Sequence, residues 1–249
     1  MNADSPLYNH YKNELSKSPI FSGLSEQLLD NMLEQFQYTT WRRTNISSST
    51  ALMERFHLII NGRVKIEHID PQSGDQVTLF ILGSGDGFDV ISLLDGKPRD
   101  IRAVAIEDLH LLTAHTQTVR EWINHYPEFN INFLPYLGVQ MRTMETLAAD
   151  LATKDTITRL ARLILRHTAH NNHHSENNRA KNNHHQIKLI HDLSNTALAQ
   201  MIGSTRQVVN HHLQALRHKG ILINQSKNLA IKELEGLHEI ADKFLSRNK

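Results

Sequence analysis

The sequence predicts an α+β fold: an N-terminal antiparallel β-roll of the double-stranded jelly-roll type, a long helix, and a C-terminal winged helix-turn-helix. Three observations predict it. Short β-rich runs alternate with turn signals in the first half, helical periodicity continues from residue 127 to about 153, and a glycine separates two helical stretches near the end. The 249 residues suffice for two modest domains. We expect the roll at 1–126, the long helix at 127–153 and the last domain at 154–249.

The roll is predicted from five β-rich runs, at residues 56–60, 64–69, 77–82, 102–106 and 109–113. Asn61-Gly62 and Asp70-Pro71 lie between runs and are typical of hairpins and turns. Strands this short and this frequent favour a small antiparallel roll. Before them, residues 1–19 are polar and expected to be loosely held, and residues 21–36 are expected to form a short helix.

After a short helix at 116–125, Pro127 is expected to open the long helix. Six apolar side chains along it step alternately by three and four residues, which is the a/d pattern of a coiled coil. They are Leu134, Leu137, Met141, Met144, Ala148 and Leu151. We interpret them as the seam of a homodimer. The alternative is a helix that packs on its own roll, which takes apolar residues at similar spacing.

Two helices are predicted around Gly203, which can adopt the positive φ of a sharp turn. Either Ser204 or Thr205 can cap the second helix. Its apolar face repeats at i, i+4 and i+7 with Val209, Leu213 and Leu216. The opposite face carries Arg206, Gln207, Asn210, His211 and Gln214.

That opposite face indicates a DNA-binding helix rather than an ordinary solvent-exposed one. Residues 206–220 include no acidic side chain, whereas a solvent-exposed helix usually carries side chains of both charges. An ordinary helical hairpin remains the alternative on spacing alone. The charge of the chain is also divided. Residues 151–249 hold 15 Lys and Arg against 7 Asp and Glu, whereas residues 1–150 hold 12 against 19. A basic part joined to an acidic part indicates one domain for an anionic polymer and one for another task.

Absent residue types narrow the function further. The chain has no cysteine, which excludes an iron–sulfur cluster, disulfides and cysteine nucleophiles. No apolar run approaches a membrane span, so we expect a cytoplasmic protein with no membrane partner. Residues 167–186 are polar, low-complexity sequence expected to form a mobile loop. Its histidine pairs, His173-His174 and His184-His185, leave metal binding open as a minor alternative to a simple polar insertion.

Four motifs occur in a characteristic order: Phe-x-x-Leu from Phe21 to Leu24, the run 58–65 with its Asn-Gly turn, Gly85-Asp86, and the winged helix-turn-helix. In this order the chain resembles the CRP/FNR family of bacterial transcription regulators, over residues 21–241. The resemblance implies a homodimer, a double-stranded DNA operator, an effector site in the roll, and RNA polymerase as a partner if the protein is an activator. By analogy, Asp155 lies at the hinge before the DNA-binding domain.

The resemblance also assigns site residues. The family's base-reading positions fall on Gln207, Asn210 and His211, with Arg206 beside them and Ser204 and Thr205 just before. Most members carry Arg where this chain has His211. A neutral histidine offers one donor rather than a bidentate fork, so we expect an altered half-site.

The effector loop departs from the cyclic-nucleotide-binding members. Their Gly-Glu for the ribose corresponds to Asp89-Val90, and their Arg-Ser for the phosphate corresponds to Arg99-Asp100. Their adenine-contacting Thr-Ser pair becomes Met144-Glu145. We therefore expect no response to cyclic AMP in the usual mode. No cofactor is predicted, although haem on a histidine stays open.

Two other classes of function were weighed. A roll-type metalloenzyme needs clustered His and carboxylates, whereas His57, His68 and His110 of the β-rich runs are widely spaced. We expect no enzymatic activity, no catalytic residues and no metal. A cyclic-nucleotide-type sensor that regulates a protein partner is the other alternative, and the basic C-terminal part argues against it.

Overall fold

The computed structural model describes residues 6–169, 185–186, 193–225 and 228–242. The chain divides into two compact units, Met1–Met144 and Glu145–Lys249. The sequence also predicted a strand over 186–190 and a helix over 234–244. Residues 187–190 and 243–244 lie outside the described residues, as do residues 170–184, which include most of the predicted loop and His173, His174 and His184.

The first unit begins with two helices, α1 (Tyr8–Lys17) and α2 (Glu26–Gln35). The expectation that residues 1–19 are loosely held is wrong for α1, because Tyr8, Tyr11 and Leu15 are buried in the core of this unit. The hydroxyl of Tyr8 also donates to a carboxylate oxygen of Asp30 on α2. The predicted helix over 21–36 begins later than expected, at α2, where the Ser25 side chain accepts from the backbone N–H of Leu28.

A β-roll of two four-stranded antiparallel sheets follows, which confirms the predicted fold class. The elements in chain order are β1 (Gln37–Trp41), β2 (Ile46–Ser48), α3 (Ser49–Met53), β3 (Arg55–Asn61), β4 (Val64–Ile69), β5 (Gln76–Leu82), β6 (Gly87–Phe88), α4 (Val90–Asp95), β7 (Ile101–Ala105) and β8 (Leu109–His115). One sheet has the order β1-β8-β3-β6 and the other β2-β7-β4-β5. The five predicted runs correspond to β3, β4, β5, β7 and β8.

Two apolar cores stabilise this unit. Between the sheets, the alternating inward residues of both sheets pack together, among them Ile59, Leu111, Val64 and Ala103. On the other side, helices pack against the roll around a cluster of aromatic rings: Phe21, Phe36, Trp122 and Phe129. Aromatic pairs of this kind add about 0.5–1.5 kcal/mol each beyond the area they bury.

The predicted helices after the roll are confirmed, as α5 (Thr116–His125) and α6 (Pro127–Thr153). Proline at the first position of α6 suits a helix start, because its missing N–H would have no partner there and its φ is already helical. Residues up to 144 of α6 belong to the first unit and residues 145–153 to the second.

The second unit continues with α7 (Thr156–Ala169), β9 (His185–Gln186), α8 (Asn195–Ile202), α9 (Arg206–His218), β10 (Leu222–Gln225), β11 (Asn228–Ile231) and α10 (Leu234–Ala241). The three strands form an antiparallel sheet of order β10-β11-β9. The sequence predicts a helix over 157–166 here, and α7 is longer, so residues 167–169 are helical rather than part of the expected loop. Its apolar face is buried through Leu160, Leu163 and Ile164.

A buried carboxylate ties the last turns of α6 to this unit. Asp150 Oδ1 accepts from Arg162 Nη1 at 2.7 Å, and Asp150 Oδ2 lies 3.7 Å from Arg166 Nη2. Arg162 Nε in turn donates to the Ala241 carbonyl on α10 at 2.9 Å. These ionic contacts anchor the C-terminal end of α6 to α7 and α10.

Candidate DNA interface and effector site

A tight turn joins α8 to α9 and sets the position where α9 begins. Gly203 ends α8 in the left-handed conformation, with φ of 58°. A Cβ at this position would lie 2.9 Å from Leu151 Cδ2, so glycine meets both a conformational and a steric requirement. The sequence allowed either Ser204 or Thr205 as the cap of α9, and the structure shows Thr205 in that role. Its hydroxyl accepts from the backbone N–H of Val208 at 3.4 Å. The N–H of Ser204 instead donates to the Ala199 carbonyl.

Helix α9 has the two faces that the sequence predicted. Its apolar side is buried through Val209, Leu213 and Leu216. Its polar side chains are exposed, namely Arg206, Gln207, Asn210, His211 and Gln214. Together these exposed groups offer amide, imidazole and guanidinium hydrogen bonds, and α9 carries no acidic side chain. Such a face can contact both phosphates and base edges.

One contact on this face was not predicted from the sequence. Asn195 Nδ2 donates to Asn210 Oδ1 at 3.3 Å, which joins the first residue of α8 to the middle of α9. Asn195 is half-buried and Asn210 is exposed. The two residues are 15 positions apart, so no local pattern could have paired them.

His212, next to the candidate base-reading His211, is turned toward α7 instead. Its Nε2 lies 2.7 Å from the Thr156 hydroxyl. Burial lowers the pKa of His212, and the neighbouring His211 lowers it further, against an opposing effect of Asp155. A neutral His212 can therefore share a hydrogen bond with Thr156 at neutral pH. Asp155, the hinge residue by analogy, accepts from the backbone N–H of Thr158 and so stabilises the start of α7.

The predicted wing is formed by β10 and β11. Leu222 pairs with Ile231 and Gln225 pairs with Asn228 in an antiparallel register. The sequence predicts the tip of the wing at 225–228, of which residues 226–227 lie outside the described residues. The strands give the second unit the arrangement expected of a winged helix-turn-helix.

In the first unit, the candidate effector loop contains an internal ion pair. Asp89 adopts the left-handed conformation with φ of 60°, just before α4. Its Oδ1 accepts from the Ser92 hydroxyl at 2.9 Å and lies 3.6 Å from Arg99 Nη1. The Asp89 side chain is only 2% exposed, and its Oδ2 has no hydrogen-bond partner within the described part of the chain. Burial raises the pKa of Asp89, against the opposing effects of Ser92 and Arg99.

The other predicted effector residues do not join this pair in the contacts of the structure. Val90 packs against the helical core, and Asp100 is exposed, so the carboxylate facing Arg99 is that of Asp89. Met144 is half-buried and Glu145 is exposed on α6. Asp89 was predicted as an effector-loop residue, and its contact with Arg99, ten positions later, has no local signal in the sequence.

The histidines of the roll occupy separate surroundings. His57 is buried, with its ring stacked on Phe88, and burial lowers its pKa to about 4. His68 is exposed, and His110 Nδ1 contacts the Tyr38 hydroxyl. Across residues 6–169, 185–186, 193–225 and 228–242, no group of three His, Asp or Glu side chains is arranged to hold a metal. None of the described helices is long and apolar enough to span a membrane.

Two family models match the chain. The Crp-like helix-turn-helix domain matches residues 158–240, and the cyclic nucleotide-binding domain matches residues 44–126. The first match covers the proposed DNA interface, and the second covers the roll with its effector loop.

Curated relatives align over most of their length. A CRP-like cAMP-activated global transcriptional regulator of Mycobacterium tuberculosis is 27% identical over 224 residues, which is 90% of this chain and 96% of the relative. The cyclic AMP receptor protein of Thermus thermophilus is 26% identical over 227 residues, which is 90% and 97% respectively. A global nitrogen regulator of Synechocystis is 25% identical over 214 residues, which is 85% and 89%.

Solved structures show the same fold. A CooA mutant from Carboxydothermus hydrogenoformans has a TM-score of 0.69 at 21% identity, covering 87% of this chain and 95% of that one. A CRP/FNR-family transcriptional regulator from Thermus thermophilus has a TM-score of 0.63 at 20% identity, covering 83% and 98%. The family models, relatives and fold agree with the site geometry, and the chain belongs to the CRP/FNR family as a DNA-binding transcription regulator.

Proposed function

We propose that this regulator binds a palindromic operator as a homodimer, reads it through α9 of each subunit, and does not respond to cyclic AMP in the usual mode. The main support for DNA binding by α9 is its exposed face, which has no acidic side chain and lies opposite its buried apolar side. Two recognition helices related by a twofold axis meet successive major grooves about 34 Å apart. The operator half-sites should therefore be centred one helical turn apart.

Specific roles on α9 follow from side-chain chemistry. Gln207, Asn210 and His211 are the candidate base readers, and Arg206, at the start of the helix, can bind a phosphate or a guanine. Ser204 and Thr205 lie in the turn, where hydroxyls suit phosphate contacts. His211 offers one donor when neutral, so the guanine contact that most family members make with arginine is weakened here.

The homodimer is supported by the exposure of apolar side chains on α6. Met141 is 73% exposed and Leu134 is 59% exposed, and both belong to the predicted seam. Ala148 and Leu151 are also exposed, while Met144 is half-buried. Leu137 is half-buried against the core of its own unit, which fits the alternative packing at that one position. A row of exposed apolar residues at heptad spacing is stabilised when a second copy covers it.

Cyclic AMP does not fit the residues of the effector loop. A cyclic phosphate would need the Arg99 guanidinium, which already faces the buried carboxylate of Asp89 at 3.6 Å. Drawing Arg99 away would leave that carboxylate buried without its counter-ion, and an anion beside it would be repelled. At the ribose position, Val90 offers no hydrogen-bond acceptor. Two lost charged hydrogen bonds weaken binding about 100-fold or more.

Two parts of the proposal rest on the family alone. RNA polymerase is the expected partner if the protein activates transcription, and the cytoplasm is the expected compartment of a bacterial regulator. The proposal as a whole is tested by footprinting on genomic DNA, which gives the operator, followed by binding to that operator with and without cyclic AMP. A palindromic footprint and an affinity that cyclic AMP leaves unchanged support it. A footprint without a palindromic sequence, or tighter operator binding with cyclic AMP, contradicts it.

A further inference from the structure

We propose that Asn195 determines which base edge Asn210 reads, by holding the oxygen end of the Asn210 amide toward α8 and leaving the nitrogen end for the DNA. Asn195 lies outside the recognition helix, so a residue of the preceding helix selects the base. The inference rests on the proposed reading of the operator by α9. It assigns a positioning residue and a base class to that reading.

The contact is held in place from both sides. Asn195 is the first residue of α8, whose start is capped by the Ser194 hydroxyl, which accepts from the backbone N–H of Ala197 at 3.1 Å. The apolar side of α8 is buried through Leu198 and Ile202. Across the turn, Val209 is buried directly before Asn210. The backbones at both ends of the amide contact are therefore held in place, with Asn195 Nδ2 3.3 Å from Asn210 Oδ1.

The chemistry follows from the two ends of an amide. A free asparagine can bind adenine with both ends, donating to N7 and accepting from N6. Asn210 Oδ1 already accepts from Asn195 and is turned toward α8, so Nδ2 is the end left for the groove. A donor pairs with the major-groove acceptors, which are guanine O6 and N7, thymine O4 and adenine N7. It does not pair with cytosine, whose major-groove group is the N4 amino donor.

The prediction is discrimination against cytosine at the operator position that Asn210 contacts, because each of the other three bases offers an acceptor there. Exchanging one amide atom at residue 195 should change which bases are preferred. In Asn195→Asp the carboxylate can only accept, so it would bind Asn210 Nδ2 and turn Oδ1 toward the groove. The preferred bases should then be the amino bases, cytosine and adenine.

The test is operator selection from a randomised double-stranded DNA library with the full chain and its variants, followed by affinities for the four bases at each position. Wild type should disfavour cytosine about tenfold against the other three bases at one position of each half-site. Asn195→Asp should instead favour cytosine and adenine over guanine and thymine there, and Asn210→Ala should abolish discrimination at the same position. Asn195→Ala should let the amide rotate, so that cytosine is no longer disfavoured.

Thr196→Asp is the matched control. Thr196 is the exposed neighbour of Asn195 in the same first turn, so the variant adds the same charge without replacing the amide that contacts Asn210. It should weaken binding to all duplexes to a similar degree and keep the discrimination against cytosine. The inference is overturned if Asn195→Asp keeps the wild-type preference, or if Asn210→Ala leaves it intact. A changed preference in Gln207→Ala would show in either case that α9 reads the operator.

Discussion

Arg99 Nη1 lies 3.6 Å from Asp89 Oδ1, so the cation that the family resemblance assigns to an effector phosphate already faces a carboxylate of its own chain. The carboxylate is buried, and the Ser92 hydroxyl holds it in place. In this chain the effector loop therefore supplies its own counter-ion at the position that the family resemblance assigns to a ligand phosphate. The effects of this ion pair on ligand binding and on the stability of the protein can be measured separately.

Replacing Asp89 with glycine should raise the affinity for cyclic AMP about tenfold or more. The change removes the competing carboxylate from Arg99, and glycine adopts the left-handed φ without strain. Isothermal titration of the wild type and the variant measures the effect. Asp95→Asn is the control, because Asp95 is exposed and ends α4. Micromolar cyclic AMP affinity in the wild type, or no gain in the variant, would contradict the role given to Asp89.

Replacing Asp89 with asparagine should stabilise the protein at neutral pH and have less effect in acid. Burial raises the pKa of Asp89 above its ordinary value of 3.8, so the folded state disfavours the charged form. Stability due to the protonated group is present below that value and is lost as the pH rises through the raised pKa. Asparagine keeps an acceptor for Ser92 without the charge. Thermal unfolding at pH 7 and pH 4 should show the larger gain in Tm at pH 7; a larger gain at pH 4 would reverse the sign argued here.

Gly203→Ala should destabilise the second unit more than Gly220→Ala does. Both glycines have positive φ, so both substitutions incur the left-handed strain of about 1–2 kcal/mol. Only at Gly203 would the added Cβ also approach Leu151 Cδ2, at 2.9 Å, whereas at Gly220 the space is open. Chemical denaturation of the two variants separates strain from crowding. Equal losses of unfolding free energy would show that Leu151 moves aside freely.

Met141→Lys should convert the dimer to a monomer and greatly reduce operator affinity, because it places like charges without partners at the proposed seam. Sedimentation velocity measures the oligomeric state. Met141→Leu keeps an apolar side chain of similar volume and should remain dimeric. A Met141→Lys variant that still sediments as a dimer would mean that the seam lies elsewhere.

Strands that are β-rich runs between turn signals could be predicted from the sequence, and short or exposed strands could not. β3, β4, β5, β7 and β8 supply buried residues to the cores and were predicted almost to their ends. β1 is mostly exposed and β6 is only two residues long, so neither carries a periodic signal. Helix α1 was not predicted, because most of its residues are polar and only three of them are buried in the core.

In the candidate sites, the exposed residues could be predicted from the sequence, but the side chains that contact them could not. The two faces of α9 followed from helical spacing, because burial of Val209 and Leu213 fixes which side chains stay exposed. The contact of Asn210 with Asn195 depends on the turn at Gly203 and has no local signature. Likewise, the resemblance placed Arg99 and Asp100 at the phosphate position, and it gave no sign that the carboxylate facing Arg99 is that of Asp89.

The most direct test of sequence-specific reading by α9 is the affinity of wild type and Gln207→Ala for the footprinted operator and for random duplex, measured by fluorescence anisotropy over a range of salt. Wild-type affinity should fall steeply with salt, because the basic unit displaces counter-ions from the phosphates. The variant should lose about 1–3 kcal/mol of binding free energy on the operator and little on random DNA. An equal loss on both DNAs, or a flat salt response, would contradict base reading by this helix.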